Sequence, residues 1–149
     1  MLVTPNNEFF GNVEQMLTEG KSVELNILGS SMQPYLRGDG KDIIIISPFS
    51  PEELTPGAIV LFRYRSKYIC HRIIRRQEEK LLIQGDGSIV NSEQVLVSDV
   101  VGIIRTVIRR NKKPVSTQSK AAKLYWSCWK HLFPVRKYLL YAYRLWLRI

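Results

Sequence analysis

The last 50 residues of this 149-residue chain contain no aspartate or glutamate. All 13 acids lie within residues 1–99 beside 10 Lys/Arg, whereas residues 100–149 carry 12 Lys/Arg. A charge break of that size marks the organisation of the chain into two regions. Cysteine is scarce as well. Cys70 and Cys128 stand alone in different regions, which excludes a disulfide framework and a zinc-ligand spacing and suits a reducing, cytoplasmic compartment. No glycine-rich phosphate loop and no internal repeat is present, so the expected chemistry uses neither a metal nor a cofactor. No run of about 18 uncharged apolar residues exists, which excludes an ordinary membrane-spanning helix. The start, with Pro5, Asn6, Asn7 and Glu8, has neither an apolar run nor a basic leader, and the expectation is a chain without signal peptide or N-terminal anchor.

What is present is enough for one domain with a core and an appendage, at 45% hydrophobic residues. The pattern predicts a helix over about 8–18, then short β-branched strands near 22–28, 42–47, 58–64, 68–75, 80–84 and 100–108. Asp42-Ile43-Ile44-Ile45-Ile46 is the continuous apolar run expected of a strand covered on both faces. Turn signals fall at Gly38-Asp39-Gly40, Pro48–Pro51 and Gly85–Gly87, and a hairpin turn is expected at Arg63–Lys67. This is a mainly β pattern, and a partly closed β-barrel fits it. Residues 1–110 form the expected β domain with its N-terminal helix. Residues 111–149 form a linker, beginning in Arg109-Arg110-Asn111-Lys112-Lys113-Pro114, and a helical appendage.

Two features of the first region carry chemistry. Gly29-Ser30-Ser31-Met32-Gln33-Pro34 follows the apolar strand Val23–Leu28. The glycine lets the chain turn sharply and the proline fixes the exit, so Ser31 is expected on a rigid corner. Forty residues later comes His71, the only histidine among the first 130 residues. Histidine is the side chain best suited to act as a base near neutral pH. Lys67, the nearest competing base, belongs to a hairpin turn, where solvent would keep it charged.

These blocks occur in a particular order: Gly29–Pro34, then Pro34-Tyr35-Leu36-Arg37-Gly38-Asp39, Pro56-Gly57-Ala58-Ile59-Val60-Leu61-Phe62, Tyr68-Ile69-Cys70-His71-Arg72-Ile73-Ile74 and Gly85-Asp86-Gly87. That order resembles type I signal peptidases and the related self-cleaving repressors, over about residues 23–106. The resemblance implies a serine peptidase in which Ser31 is the nucleophile. Where most bacterial members place a lysine base, this chain has His71, which is similar to the Ser-His arrangement of the endoplasmic-reticulum and archaeal branch. It also implies the barrel fold that the strand pattern suggests. Two departures stand out. Gly57-Ala58 replaces the usual Gly-Asp, and Gly87 is followed by Ser88 where that branch has asparagine, with the second acid missing or shifted to Glu93.

The carboxylate that orients His71 is therefore open at this point. Asp86 is favoured, Glu93 is the alternative, and a pair without any carboxylate is the third possibility.

The region 117–149 is a different object. Lys123, Lys130, Lys137 and Arg144 recur every seven residues, with tyrosine, tryptophan, phenylalanine and leucine between them. Pro134 is expected to divide it into two helices. A basic face beside an aromatic face suits a helix lying in a membrane interface, and packing of the aromatic face on the β domain or on a second chain is the competing expectation. Nucleic acid is disfavoured, because the basic stripe is backed by apolar aromatics. The expected protein is a serine endopeptidase acting on a peptide or protein substrate, cytoplasmic, and peripheral on the membrane's inner face through 117–149. A self-cleaving regulator and a non-catalytic membrane- or partner-binding module are the alternatives.

Overall fold

The computed structural model describes residues 7–110 and 113–148. The leader reading at Pro5 and Asn6, and the linker residues Asn111 and Lys112, lie outside the described residues. Helix α1 (Asn7–Thr18) is followed by β1 (Val23–Leu28), β2 (Asp39–Ser47), β3 (Ile59–Tyr64), β4 (Lys67–Gln77), β5 (Lys80–Gln84), β6 (Glu93–Leu96), β7 (Val100–Arg109) and β8 (Val115–Ser116). Helices α2 (Lys120–His131) and α3 (Arg136–Leu147) close the chain, joined through a 3-10 turn at Phe133–Val135 that contains Pro134.

The strands form one antiparallel sheet in the order β1-β2-β7-β3-β4-β5-β6, with β8 added to β7. Mainly β is therefore right. The partly closed barrel is not, because the path runs open from β1 to β6 and no pairing among the described residues joins its ends. Two separate cores lie on either side of the sheet, and β3 serves both. Ile59 and Leu61 enter one core, with Phe10, Leu36, Ile44 and Ile46. Val60 and Phe62 enter the other, with Ile73, Leu81, Ile83 and Val95. Period-two alternation makes this obligatory, and it explains an uninterrupted apolar run in β3. In β2, by contrast, Ile44 and Ile46 are fully buried while Ile43 and Ile45 are only half-buried, so that run is covered unequally.

Helix α1 buries Phe10, Val13 and Leu17, one stripe at helical spacing, across β1, β4 and β7. The β3–β4 hairpin turns on Arg65 and Ser66, both at positive φ (49 and 63), the geometry whose twist matches the flanking strands.

The C-terminal helices dock on the β domain. Ala122, Trp129 and Arg136 are buried at seven-residue spacing, one position before the basic Lys123, Lys130 and Lys137, which are exposed. Leu140 continues the buried edge on α3. Arg144, the fourth member of the basic series, points inward rather than to water: its Nε donates to Gln33 Oε1 at 2.9 Å.

Candidate functional site

Ser31 sits in the loop between β1 and β2 that opens at Gly29, where φ is +101, a backbone state that glycine adopts without steric cost. The loop is anchored by Met32 and Leu36, both buried, with Leu36 N–H donating to Met32 O at 2.9 Å. The Gln33–Pro34 peptide is cis. A second tie comes from the turn after β5: Gly87 N–H donates to Ser31 O at 2.8 Å.

His71 lies in β4, opposite Val60 of β3, and is buried. Alternation puts it on the face with Ile73, toward the second core, while Cys70 and Arg72 face the first. Its Nδ1–H donates to Glu93 Oε1 at 2.5 Å, with both side chains nearly out of solvent. An ionised carboxylate only accepts, so this contact fixes the proton on Nδ1 and leaves Nε2 as the basic nitrogen. Nε2 is buried and has no hydrogen-bond partner among the described residues.

Gly85 brings the serine loop and the histidine together. A methyl group placed on its Cα would lie 2.2 Å from Ser31 O and 3.0 Å from His71 Nε2. Both groups therefore border the same one-methyl space, and only glycine allows that approach.

Asp86 is elsewhere. Its Oδ1 accepts from Arg72 Nε at 2.9 Å and its Oδ2 from Arg72 Nη2 at 2.8 Å, a two-pronged pair that is almost fully buried. Tyr125 Oη donates to the same Oδ2 at 3.0 Å, and Trp129 Nε1 donates to the Asp86 carbonyl at 2.9 Å. The expectation that Asp86 orients His71 is thus corrected: Glu93 holds the ring. The reason is parity. Arg72 pairs with Gln84 and Ile73 with Ile83, which itself pairs with Glu93. Arg72, Gln84 and Asp86 share one face, whereas His71, Ile73, Ile83 and Glu93 share the other.

Arg72 is enclosed by the rings of Tyr35, Tyr125 and Trp126, with its guanidinium carbon 5.0, 5.7 and 4.8 Å from their centroids. Burial first, and the Asp86 carboxylate second, push the Tyr125 phenol far above its ordinary range, so it remains a donor at every ordinary pH. Burial likewise pushes the Cys70 thiol up to about 11. Lys67 is exposed, whereas His71 Nε2 borders the same space as the Ser31 carbonyl.

Sequence reasoning missed Arg72, Tyr125 and Trp129 as the ties between this site and α2. It named Glu93 only as an alternative, although a signal was present. Glu93 and Val95 alternate inward along β6, so an acid occupies a position the pattern reserves for apolar side chains. Among the described residues no group of three or more His, Cys, Asp or Glu lies close enough to hold a metal ion. No protein-family model matches this sequence, and no curated protein matches it.

Proposed function

We propose that the protein is a serine endopeptidase, similar in its site to type I signal peptidases of the Ser-His kind, which cleaves a peptide or leader segment. One observation carries the reading: a buried histidine has a carboxylate on Nδ1 and a bare Nε2, and that nitrogen borders the same space as the backbone of Ser31. A buried nitrogen left without a partner costs stability, a cost that a catalytic role accounts for.

In this mechanism the Ser31 hydroxyl attacks the scissile carbonyl while His71 Nε2 takes its proton. Glu93 stabilises the imidazolium that forms, and the imidazolium then protonates the leaving amine. Water, activated by the same nitrogen, releases the acyl group from Ser31. Backbone N–H groups of the Ser30–Met32 turn, together with the Ser30 hydroxyl, hold the oxyanion. Gly87 N–H and the buried Met32 keep the turn in register with the histidine. Asp86 contributes by locking the turn after β5 to Arg72, which neighbours His71 in β4.

The test is cleavage of a proteome-derived peptide library, read by mass spectrometry. Wild-type protein should generate a recurring cleavage motif that is absent with Ser31→Ala and with His71→Ala. Identical product profiles from wild type and both variants would refute the peptidase reading.

A further inference from the structure

The C-terminal helices have two apolar faces, and only one is used by the fold. The inner edge, Ala122, Trp129 and Leu140, is buried on the β domain. The outer face of α3 and of the turn before it is open. Phe133, Tyr138, Leu139, Tyr141, Leu145 and Trp146 are all exposed, with Tyr138, Tyr141 and Trp146 at 64%, 67% and 64%. On a helical projection Tyr138, Leu139, Tyr141, Leu145 and Trp146 form one broad stripe opposite Arg136 and Leu140. Isolated exposed apolar residues are ordinary, but a contiguous aromatic patch of this kind marks a docking surface.

We propose that this face docks on an anionic lipid bilayer. Charge identifies the occupant. Lys137, its Nζ over the Tyr138 ring, and Arg148 are exposed on the flank of this face, and Lys130 is exposed on α2. Residues 100–149 contain no acid with which a facing cation could pair. A second copy of the chain placed face to face would bring these cations together, at a cost, with no acid on either copy's C-terminal helices to neutralise them. A negatively charged leaflet meets both requirements, since it attracts the basic rim and receives tyrosine, tryptophan and leucine at headgroup depth. The patch is also the convex side of a helix rather than a groove, a shape that suits a plane. No described helix is long and apolar enough to cross a membrane, so the contact is peripheral.

The opposite side of α3 adds a consequence. Arg144 donates to Gln33 Oε1 at 2.9 Å and reaches the carbonyls of Ser30 and Gly87 at 3.4 Å. Docking through the outer face therefore holds the Ser31 loop roughly one helix diameter, about 10 Å, from the lipid headgroups. If Ser31 is the nucleophile proposed above, its substrate is a membrane-proximal peptide; the docking itself does not rest on that reading.

The experiment is vesicle flotation of the full chain with phosphatidylglycerol-containing and with pure phosphatidylcholine vesicles, at low and high salt. Flotation should occur with the anionic vesicles and weaken with salt. Replacing Lys130, Lys137 and Arg148 together by Gln should reduce partitioning on the order of a hundredfold, and Tyr141→Ser/Trp146→Ser should also abolish flotation while the melting temperature stays unchanged. In the wild type, Trp146 emission should shift to the blue on binding, a shift that Trp146→Phe removes. Ser31→Ala should float like wild type, which separates this claim from the peptidase claim. Absence of flotation with anionic vesicles at low salt would overturn the proposal. So would equal flotation with neutral vesicles, survival of flotation in the Tyr141/Trp146 variant, or a stable dimer in light scattering that this variant abolishes.

Discussion

Glu93 Oε1 lies 2.5 Å from His71 Nδ1, and the two side chains meet across β5 from different strands, β6 and β4. The contact orients the ring about its strand and supplies a negative charge where an imidazolium would form. Replacing Glu93 by Gln keeps the size and removes the charge. We expect peptide cleavage to fall by about 10²–10⁴-fold with little change in melting temperature. A variant with full turnover would assign Glu93 a purely structural role.

Asp86 should behave in the opposite way. Its carboxylate neutralises Arg72 in a site where both are almost completely buried, and removing one member of such a pair leaves the other charged and unpaired. Asp86→Asn should cost about 3–5 kcal/mol in urea unfolding, because the amide still accepts one hydrogen bond but carries no charge. Unchanged stability with abolished cleavage would return Asp86 to the chemistry.

The contrast between these two acids shows what was legible in the sequence. Six of the strands, a hairpin turn within Arg63–Lys67 and the division at Pro134 follow from local patterning, and the structure has them. The turn expected at Gly38-Asp39-Gly40 ends one residue in, because Asp39 and Gly40 already open β2. β6 and β8 were not anticipated, since four residues with a glutamate in the inward position and two residues after a basic linker carry too little periodicity. Ser31 and His71 stand out by their local contexts, and Gly85 borders both the Ser31 carbonyl and His71 Nε2. Choosing between Asp86 and Glu93 required the register of β4, β5 and β6, which is a tertiary property. The basic heptad of the C-terminal region concealed the buried heptad one residue earlier, because Ala122, Trp129 and Arg136 do not share a chemical type.

The two cysteines should separate cleanly. Cys70 is buried and its thiol is pushed up to about 11 by burial, whereas Cys128 is exposed on α2. Reaction requires the thiolate and access. Treatment of native protein with a thiol reagent near pH 8 should label one site quickly, Cys128 by peptide mapping, and Cys70 only after denaturant is added. Rapid labelling of both would mean that β4 opens far more readily than a core strand should.

Acid should weaken one surface tie in a defined window. Glu53 is held down to about 2, chiefly by the hydrogen bond from the Arg105 side chain and then by Ser50 N–H. A carboxyl lowered in the folded state contributes stability above its ordinary value of 4.5, and that contribution disappears as pH falls toward 2. The pair is partly exposed, so solvent screens it and the effect is small. The melting-temperature gap between wild type and Glu53→Gln should be present at pH 6 and close near pH 2; a gap that persists at pH 2 would exclude this linkage.

The most direct test of the proposed chemistry is a double-mutant cycle at Ser31 and His71, read as the rate of cleavage of the best peptide from the library. Residues that act as one catalytic unit fail together. Ser31→Ala and His71→Ala should each reduce the rate by at least about 10³-fold, and the double variant should be no slower than either single one. Near-normal turnover in either single variant, or losses that simply multiply in the double, would contradict a Ser31–His71 catalytic pair.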